Sequence, residues 1–490
     1  LKFPVYRLAL ALPRRYTLRP GRPPSDRREK RLLTSITERG MSTQPAGPCE
    51  LPGVDLESWL IEFDKNGACT SPKTREALLN RIAGEGDLPV ILFSHGWNNE
   101  FGDATRWYAA FVQHLQTRLH EIPDRKHPLF VGVIWPSTWL SFDTGPEMAA
   151  GGETPASAGD DEALTQDLLA QVEDPAQREK LTSLLGEERL SEADATTLAE
   201  LIAATCARAS ADSGVEGAEG DPPDAQSVLE AMKSLQALAP DSTENEESLE
   251  PGVVTGHTQA PLRDAGGLRY LDPRWALRVA SVYQMKNRAG KVGANGVFEL
   301  VKAILNLPAT RLHLVGHSYG AKVVLSSIVA APLPRPVESV LLLQPAISYL
   351  AFAAEVPGKG RSGGYREALK LSRQPVLTTY SAHDFPLHEV FHRALRRDID
   401  PGEPAVAGGE MGVDTLAGPP PNQFAALGGY GPRGASERLI EPLPDPGEPL
   451  DIDNAVAIVG FDGTMQKRVA GHGDIATPYT AWLLHLQLSR

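Results

Sequence analysis

Two spacings of apolar residues divide the chain. Short, nearly unbroken apolar runs that end in small or polar turns predict buried strands: LPVILFS from Leu88, PLFVGVIWP from Pro128, RLHLVG from Arg311, VESVLLLQP from Val337, PVLTTYSAHD from Pro375 and NAVAIVGFDG from Asn454. Between them, apolar residues recur at helical spacing in ATRWYAAFVQHLQTRL from Ala104, WALRVASVYQMKNRAG from Trp275, NGVFELVKAIL from Asn295, the segment leaving Ser318, and TPYTAWLLHLQL from Thr477. Strands alternating with helices predict an α/β fold, with a mostly parallel central sheet flanked by helices.

The pattern breaks twice. From about 141 to 265 Ala, Glu, Asp, Ser and Gly dominate. The pieces EALTQDLLAQVEDPAQREKLTSLL from Glu162 and DATTLAELIAATCARA from Asp194 read as helices, and GVEGAEGDPPD from Gly214 as disordered. This acidic helical insertion fits either a lid over the carboxyl ends of the strands or a surface appendage. Residues 401–449 are Pro- and Gly-rich and read as a long loop. The expected organisation is a core in two parts, 41–140 and 266–490, around the insertion 141–265. Residues 1–40, rich in Arg and Pro, read as an extension outside the folded enzyme.

Composition narrows the partners. The 490 residues carry a formal net charge of -14, which repels a phosphate backbone or an anionic membrane and suits a neutral or cationic small molecule. Three cysteines, Cys49, Cys69 and Cys206, make neither a disulfide framework nor a zinc spacing. They read as reduced thiols, with a Cys49 to Cys69 bridge as the lesser alternative. No apolar run approaches the roughly 18 residues of a membrane span, so no stable membrane insertion and a cytoplasmic location are expected. The sequence does not speak to oligomeric state.

The pattern Gly-x-Ser-x-Gly occurs twice, at Gly316–Gly320 and at Gly360–Gly364. Only the first has a strand before it and a helix after it, which a nucleophile elbow needs to lift its serine out of a tight turn. Ser318 is therefore the candidate nucleophile, and Ser362 reads as part of a flexible loop. An elbow serine needs an acid and then a base further along the chain. Asp384 follows the strand PVLTTYSAH at the end where chemistry gathers in parallel sheets. His472, flanked by glycines between the last strand and the terminal helix, is the candidate base. Asp474 could cap that helix or bind His472, and capping is the expected role. The SHGW segment from Ser94 stands where the second oxyanion donor belongs, beside the N–H of Tyr319.

One rival motif competes. His388-Glu389-Val390-Phe391-His392 has the H-E-x-x-H form of a zinc peptidase helix, but no third-ligand spacing follows it.

The ordered segments FSHGWNNE, GVIWPS, YQMKNRAGKVGANGV, LHLVGHSYGAK, LLLQPAISYLAFA, GGYREAL, VLTTYSAHD and GHGDI resemble an uncharacterised group of bacterial α/β-hydrolase-fold proteins, from Leu88 to the C-terminus apart from the insertion. The resemblance implies Ser318 as nucleophile, Asp384 as acid, His472 as base, and the N–H groups of Trp97 and Tyr319 as oxyanion donors. Where such proteins often read HSD around the base, this chain reads HGD. The expected activity is a serine hydrolase cleaving small carboxylic esters through an acyl-enzyme, with no cofactor and no metal. An amidase or peptidase with the same triad, the zinc peptidase and a non-catalytic binding module stand as alternatives.

Overall fold

The computed structural model describes residues 47–96, 101–120, 126–137, 165–166, 168–211, 224–236, 270–357, 360–391 and 425–490. The extension 1–40, Trp97, His392 and residues 401–424 lie outside the described residues, as does part of the insertion.

Among the described residues eight strands form one sheet: β1 (Ser58–Glu62), β2 (Pro89–Ser94), β3 (Leu129–Ile134), β4 (Arg311–His317), β5 (Ser339–Leu343), β6 (Val376–Tyr380), β7 (Arg438–Ile440) and β8 (Ile458–Asp462). Their order is β1-β3-β2-β4-β5-β6-β8-β7, and every ladder is parallel. The sheet is thus more uniform than the mostly parallel one expected. All six strands read from the sequence are present. The two that escaped it, β1 and β7, are the edges, and β7 lies inside the stretch expected to be a loop.

The strands read as apolar runs because both faces of the sheet are covered. On one face Val90, Leu92, Val131, Leu312, Leu314 and Leu342 join a cluster with α1 (Pro72–Ala83), α6 (Arg274–Lys291), α7 (Phe298–Asn306) and α8 (Tyr319–Val329). On the other, Ile91, Phe93, Phe130, Val315, Leu341 and Phe461 pack against α2 (Phe101–Leu119) and the terminal α10 (Pro478–Ser489), which follows the short α9 (Leu427–Tyr430) in the chain. Alternate side chains of each strand go to opposite faces, as the pleat requires. α1, with Leu78 and Ile82 buried one turn apart, was not anticipated. Between α6 and α7 the chain makes a π turn, Val292–Val297, where Gly293 lets α8 approach: a Cβ there would stand 2.4 Å from the Val323 carbonyl oxygen.

The described part of the insertion is helical, and the apolar face of each helix is buried while the opposite face is exposed. α3 (Pro175–Leu185), α4 (Glu192–Ala211) and α5 (Ala225–Gln236) bring Leu181, Leu198, Ile202, Val228 and Met232 into the cluster that holds Trp275 and Val279 of α6. Gln171 donates to Gln284 of α6 at 3.0 Å. These helices are therefore a layer built onto α6 and not a loose appendage.

Cys49 is the bridge partner of Ser58 and Cys69 that of Phe63. The two thus sit at opposite ends of β1, about 17 Å apart at the rise of a strand. A disulfide needs Cα atoms within about 7 Å, so both cysteines are free. Burial pushes the Cys49 thiol up to about 11. Among the described residues no helix is long and apolar enough to cross a membrane.

Candidate active site

From β2 the chain runs outward to β3, whereas from β4 it runs the other way through β5, β6 and β8. Neighbouring strands whose onward connections diverge leave a crevice outside their carboxyl ends. His95 and Gly96 follow β2, and Ser318 follows β4, so both border that crevice. A Cβ on Gly96 would stand 2.6 Å from the Ser318 Cβ.

Ser318 has φ 54° and ψ -125°, a backbone conformation disfavoured for any residue with a Cβ. It is held there from both sides: its N–H donates to Leu343 at 3.1 Å, and its carbonyl accepts from Ala321 at 3.1 Å and Ala346 at 3.2 Å. The turn closes only because its flanking residues lack side chains. A Cβ on Gly316 would lie 2.6 Å from the Ala321 Cα, and one on Gly320 would lie 2.1 Å from the Ser94 carbonyl oxygen. Ser362, by contrast, is exposed just after a bend, with no strand before it.

Asp384 and His472 meet Ser318 at the same end of the sheet. His472 Nδ1 lies 2.9 Å from Asp384 Oδ2, and its Nε2 lies 2.8 Å from Ser318 Oγ. A carboxylate oxygen accepts, so Nδ1 carries the proton and Nε2 is the bare nitrogen that takes the serine O–H. Asp384 is fully buried, and three donors surround its carboxylate. Oδ2 accepts from His472 and, at 3.0 Å, from the Gln344 amide; Oδ1 accepts from the Leu387 N–H at 3.0 Å. Hydrogen bonds to a charged carboxylate are the stronger kind and keep a buried one paired.

Sequence reasoning missed Gln344. It directly follows β5 as the polar close of LLLQP, has φ +44°, and uses its amide N–H groups on Asp384 and, at 3.1 Å, on the Gly428 carbonyl. The only signal was a polar residue ending an apolar run, which reads equally as a turn.

Asp474 does not take the expected role. Thr477 caps α10 through a capping box with Thr480, while Asp474 Oδ2 accepts the Ala470 N–H at 2.8 Å and closes the loop that carries His472. Ser381 Oγ donates to the Val469 carbonyl at 2.8 Å and ties the acid segment to the start of that loop.

His95 is a structural group. Its ring stacks on Trp135 with centroids 5.6 Å apart, Nδ1 contacts the Gly96 carbonyl at 2.9 Å, and the Trp135 indole donates to the His95 carbonyl at 3.1 Å. Burial holds its pKa down at about 4, so it is neutral and fixes the turn after β2. Trp97 lies outside the described residues. Tyr319 opens α8 directly after the serine, and its hydroxyl points away from the site to the Val282 carbonyl of α6 at 3.3 Å. Its main chain alone could serve an oxyanion.

Of the rival motif, His388 lies in a π turn, Pro386–Val390, and not in an α-helix. Its ring stacks on Tyr430 at 4.4 Å, and its N–H donates to the Asp384 carbonyl at 2.7 Å. Among the described residues no group of three His, Cys, Asp or Glu side chains is placed to hold a metal ion. No family model, no curated protein and no solved structure matches the chain.

Proposed function

We propose that the chain is a serine hydrolase of the α/β-hydrolase type that cleaves carboxylic esters through an acyl-enzyme. One observation carries the reading: an unbroken hydrogen-bond relay from Ser318 through His472 to a buried Asp384, delivered by three different strands and ending on a serine held at positive φ. A structural serine needs none of these three features, and their coincidence is what acyl transfer requires.

In the proposed reaction Ser318 Oγ attacks the ester carbonyl as His472 Nε2 takes its proton. Asp384 holds the imidazole in the tautomer with the proton on Nδ1 and offsets the charge that develops on the ring. His472 then returns the proton to the leaving alcohol. In the second half His472 takes a proton from water, which attacks the acyl carbon, and Ser318 leaves as the free hydroxyl. The main-chain N–H of Tyr319, with that of Trp97, stabilises the tetrahedral oxyanions, each such donor contributing about 3 kcal/mol. The layer of α3 to α5 packed on α6 is assigned to shaping access to the site.

The test is covalent. A fluorophosphonate probe should label the purified protein once per chain, and peptide mapping should find the adduct on Ser318. Hydrolysis of p-nitrophenyl esters should be lost in step with labelling, and comparison with the matching anilides separates ester from amide preference. Labelling elsewhere, or turnover that survives complete labelling of Ser318, removes the triad.

A further inference from the structure

We infer that His317 is a positioning residue for the general base: its ring N–H holds the main-chain carbonyl of His472 and so fixes where the imidazole meets Ser318. The inference rests on the serine-hydrolase reading of the site.

His317 is the last residue of β4, buried, and immediately precedes the nucleophile. Its Nε2 lies 2.9 Å from the His472 carbonyl oxygen, a contact that spans 155 residues. A carbonyl oxygen only accepts, so Nε2 must carry the hydrogen. On the other edge of the ring Nδ1 lies beside Gly96, where an added Cβ would come within 3.0 Å of it.

The base needs such a tether. His472 lies between Gly471 and Gly473, which leave the main chain many conformations. The bonds within its loop run from Asp474 to the Gly471 carbonyl, from Ile475 to the Gly473 carbonyl, and from Ala470 to the Asp474 carboxylate, and none of them uses the carbonyl of residue 472. Asp384 holds the ring of His472, and His317 holds its main chain. Because His317 is bonded directly to Ser318, one side chain sets the nucleophile and the base at a common distance. Burial pushes the His317 ring well below the ordinary histidine range, and the nearby His472 and His95 rings push the same way, against the bond to the His472 carbonyl, which raises it. It therefore remains a neutral donor while the base gains and loses its proton, with the two ring centroids 5.0 Å apart.

The experiment compares His317→Met, which fills the space without an N–H, with His317→Gln, which keeps a donor at similar reach. A lost tether displaces the base by a fraction of its hydrogen-bond length, so His317→Met should lower kcat about 10²-fold with KM within about twofold. His317→Gln should recover to within about tenfold of the parent. A folded His317→Met with the parent's kcat, or a His317→Gln no better than His317→Met, overturns the tether. Ser318→Ala is assayed in parallel: activity surviving there overturns the serine reading itself, whereas a dead Ser318→Ala beside a fully active His317→Met overturns only the tether. If His317→Met fails to fold, nitrogen NMR of the parent's histidine rings decides instead. His317 must show a protonated Nε2 and a bare Nδ1 at neutral pH, and the opposite tautomer leaves no hydrogen for the bond.

Discussion

The chain writes Gly-x-Ser-x-Gly twice, and the two copies fold into different things. At Gly316–Gly320 the glycines are where other backbone passes, against Ala321 on one side and the Ser94 and His95 carbonyls on the other. At Gly360–Gly364 the first glycine has φ +60° with nothing within 4 Å of a Cβ, and close packing falls on Gly363, against the Leu350 and Ala351 carbonyls. The elbow's glycines bring strand, turn and helix together around a strained serine. In the loop copy Gly360 lets an exposed chain turn, and the close approach falls on Gly363, which is not one of the two glycines the pattern names. A five-residue pattern therefore takes its structure from what its two small residues allow to approach.

The largest expected difference is in turnover. Ser318→Ala should lower kcat by about six orders of magnitude, the loss seen when a triad nucleophile is removed. Ser362→Ala should leave kcat/KM within about twofold, because surface substitutions away from special features rarely exceed about 0.5 kcal/mol. Ester hydrolysis by both variants, measured side by side, breaks the comparison if the two fall together.

What was legible follows the same division. The elbow is a local event, a strand, a tight turn and a helix within eighteen residues of sequence, so Arg311 to Ile328 could be read directly. Asp384 and His472 were found because each must close a strand or loop at the carboxyl end of the sheet. The two missed strands are its edges, where a strand has one neighbour instead of two, and half-exposed β7 shows no apolar run at all. Gln344 was hidden because its partner, Asp384, stands 40 residues away and nothing local marks a glutamine as a carboxylate donor. Asp474 was misread because proximity in sequence offered it two roles, and the loop's own closure took it instead, leaving the cap to Thr477. Long-range hydrogen bonds hold the acid and base half of the site, and they are what a single sequence conceals.

Next in size is the cost of a methyl group in the elbow. Gly320→Ala places a Cβ 2.1 Å from the Ser94 carbonyl oxygen and 2.4 Å from that of His95. Both are backbone atoms, so no side chain can swing aside and the helix must move away from β2. Overpacking of this kind costs about 3 kcal/mol or more, and the displaced serine should lose turnover about 10²-fold. Denaturant melts and ester assays check both. Parental stability would show that the turn yields easily, against the comparison.

Acid should strike the elbow's side of the molecule. Burial holds His95 down at about 4, and burial with the Arg311 cation holds His313, in the strand that delivers Ser318, down at about 3. Above about pH 6.5, the ordinary histidine value, neither folded nor unfolded chain is protonated at these rings and they add no pH dependence. Below it the unfolded chain takes up protons that the folded one refuses. Stability should therefore fall by about 1.4 kcal/mol per pH unit for each ring, from about 6.5 down to the folded value of each. Denaturant unfolding at a series of pH values measures the slope, and replacing His313 by Gln should flatten it by one ring's share. An unchanged slope in that variant would mean that His313 does not stay neutral in the fold.

The smallest effect belongs to the loop copy. Gly360→Ala meets open space, so no neighbour need move, but φ +60° is a left-handed conformation in which an L side chain crowds its own backbone. The cost is that of the conformation alone, about 1 kcal/mol. It should appear as a small fall in the denaturant midpoint with kcat and KM both at parental values. Gly320→Ala and Gly360→Ala are the same substitution at the last glycine of one copy and the first of the other, so their ratio isolates what lies outside the pattern. A loss of turnover from Gly360→Ala would mean that the exposed loop reaches the reacting ester, and the line drawn between the two copies would then be in the wrong place. Parental turnover with a measurable loss of stability would place the strain in the loop and the chemistry wholly in the elbow.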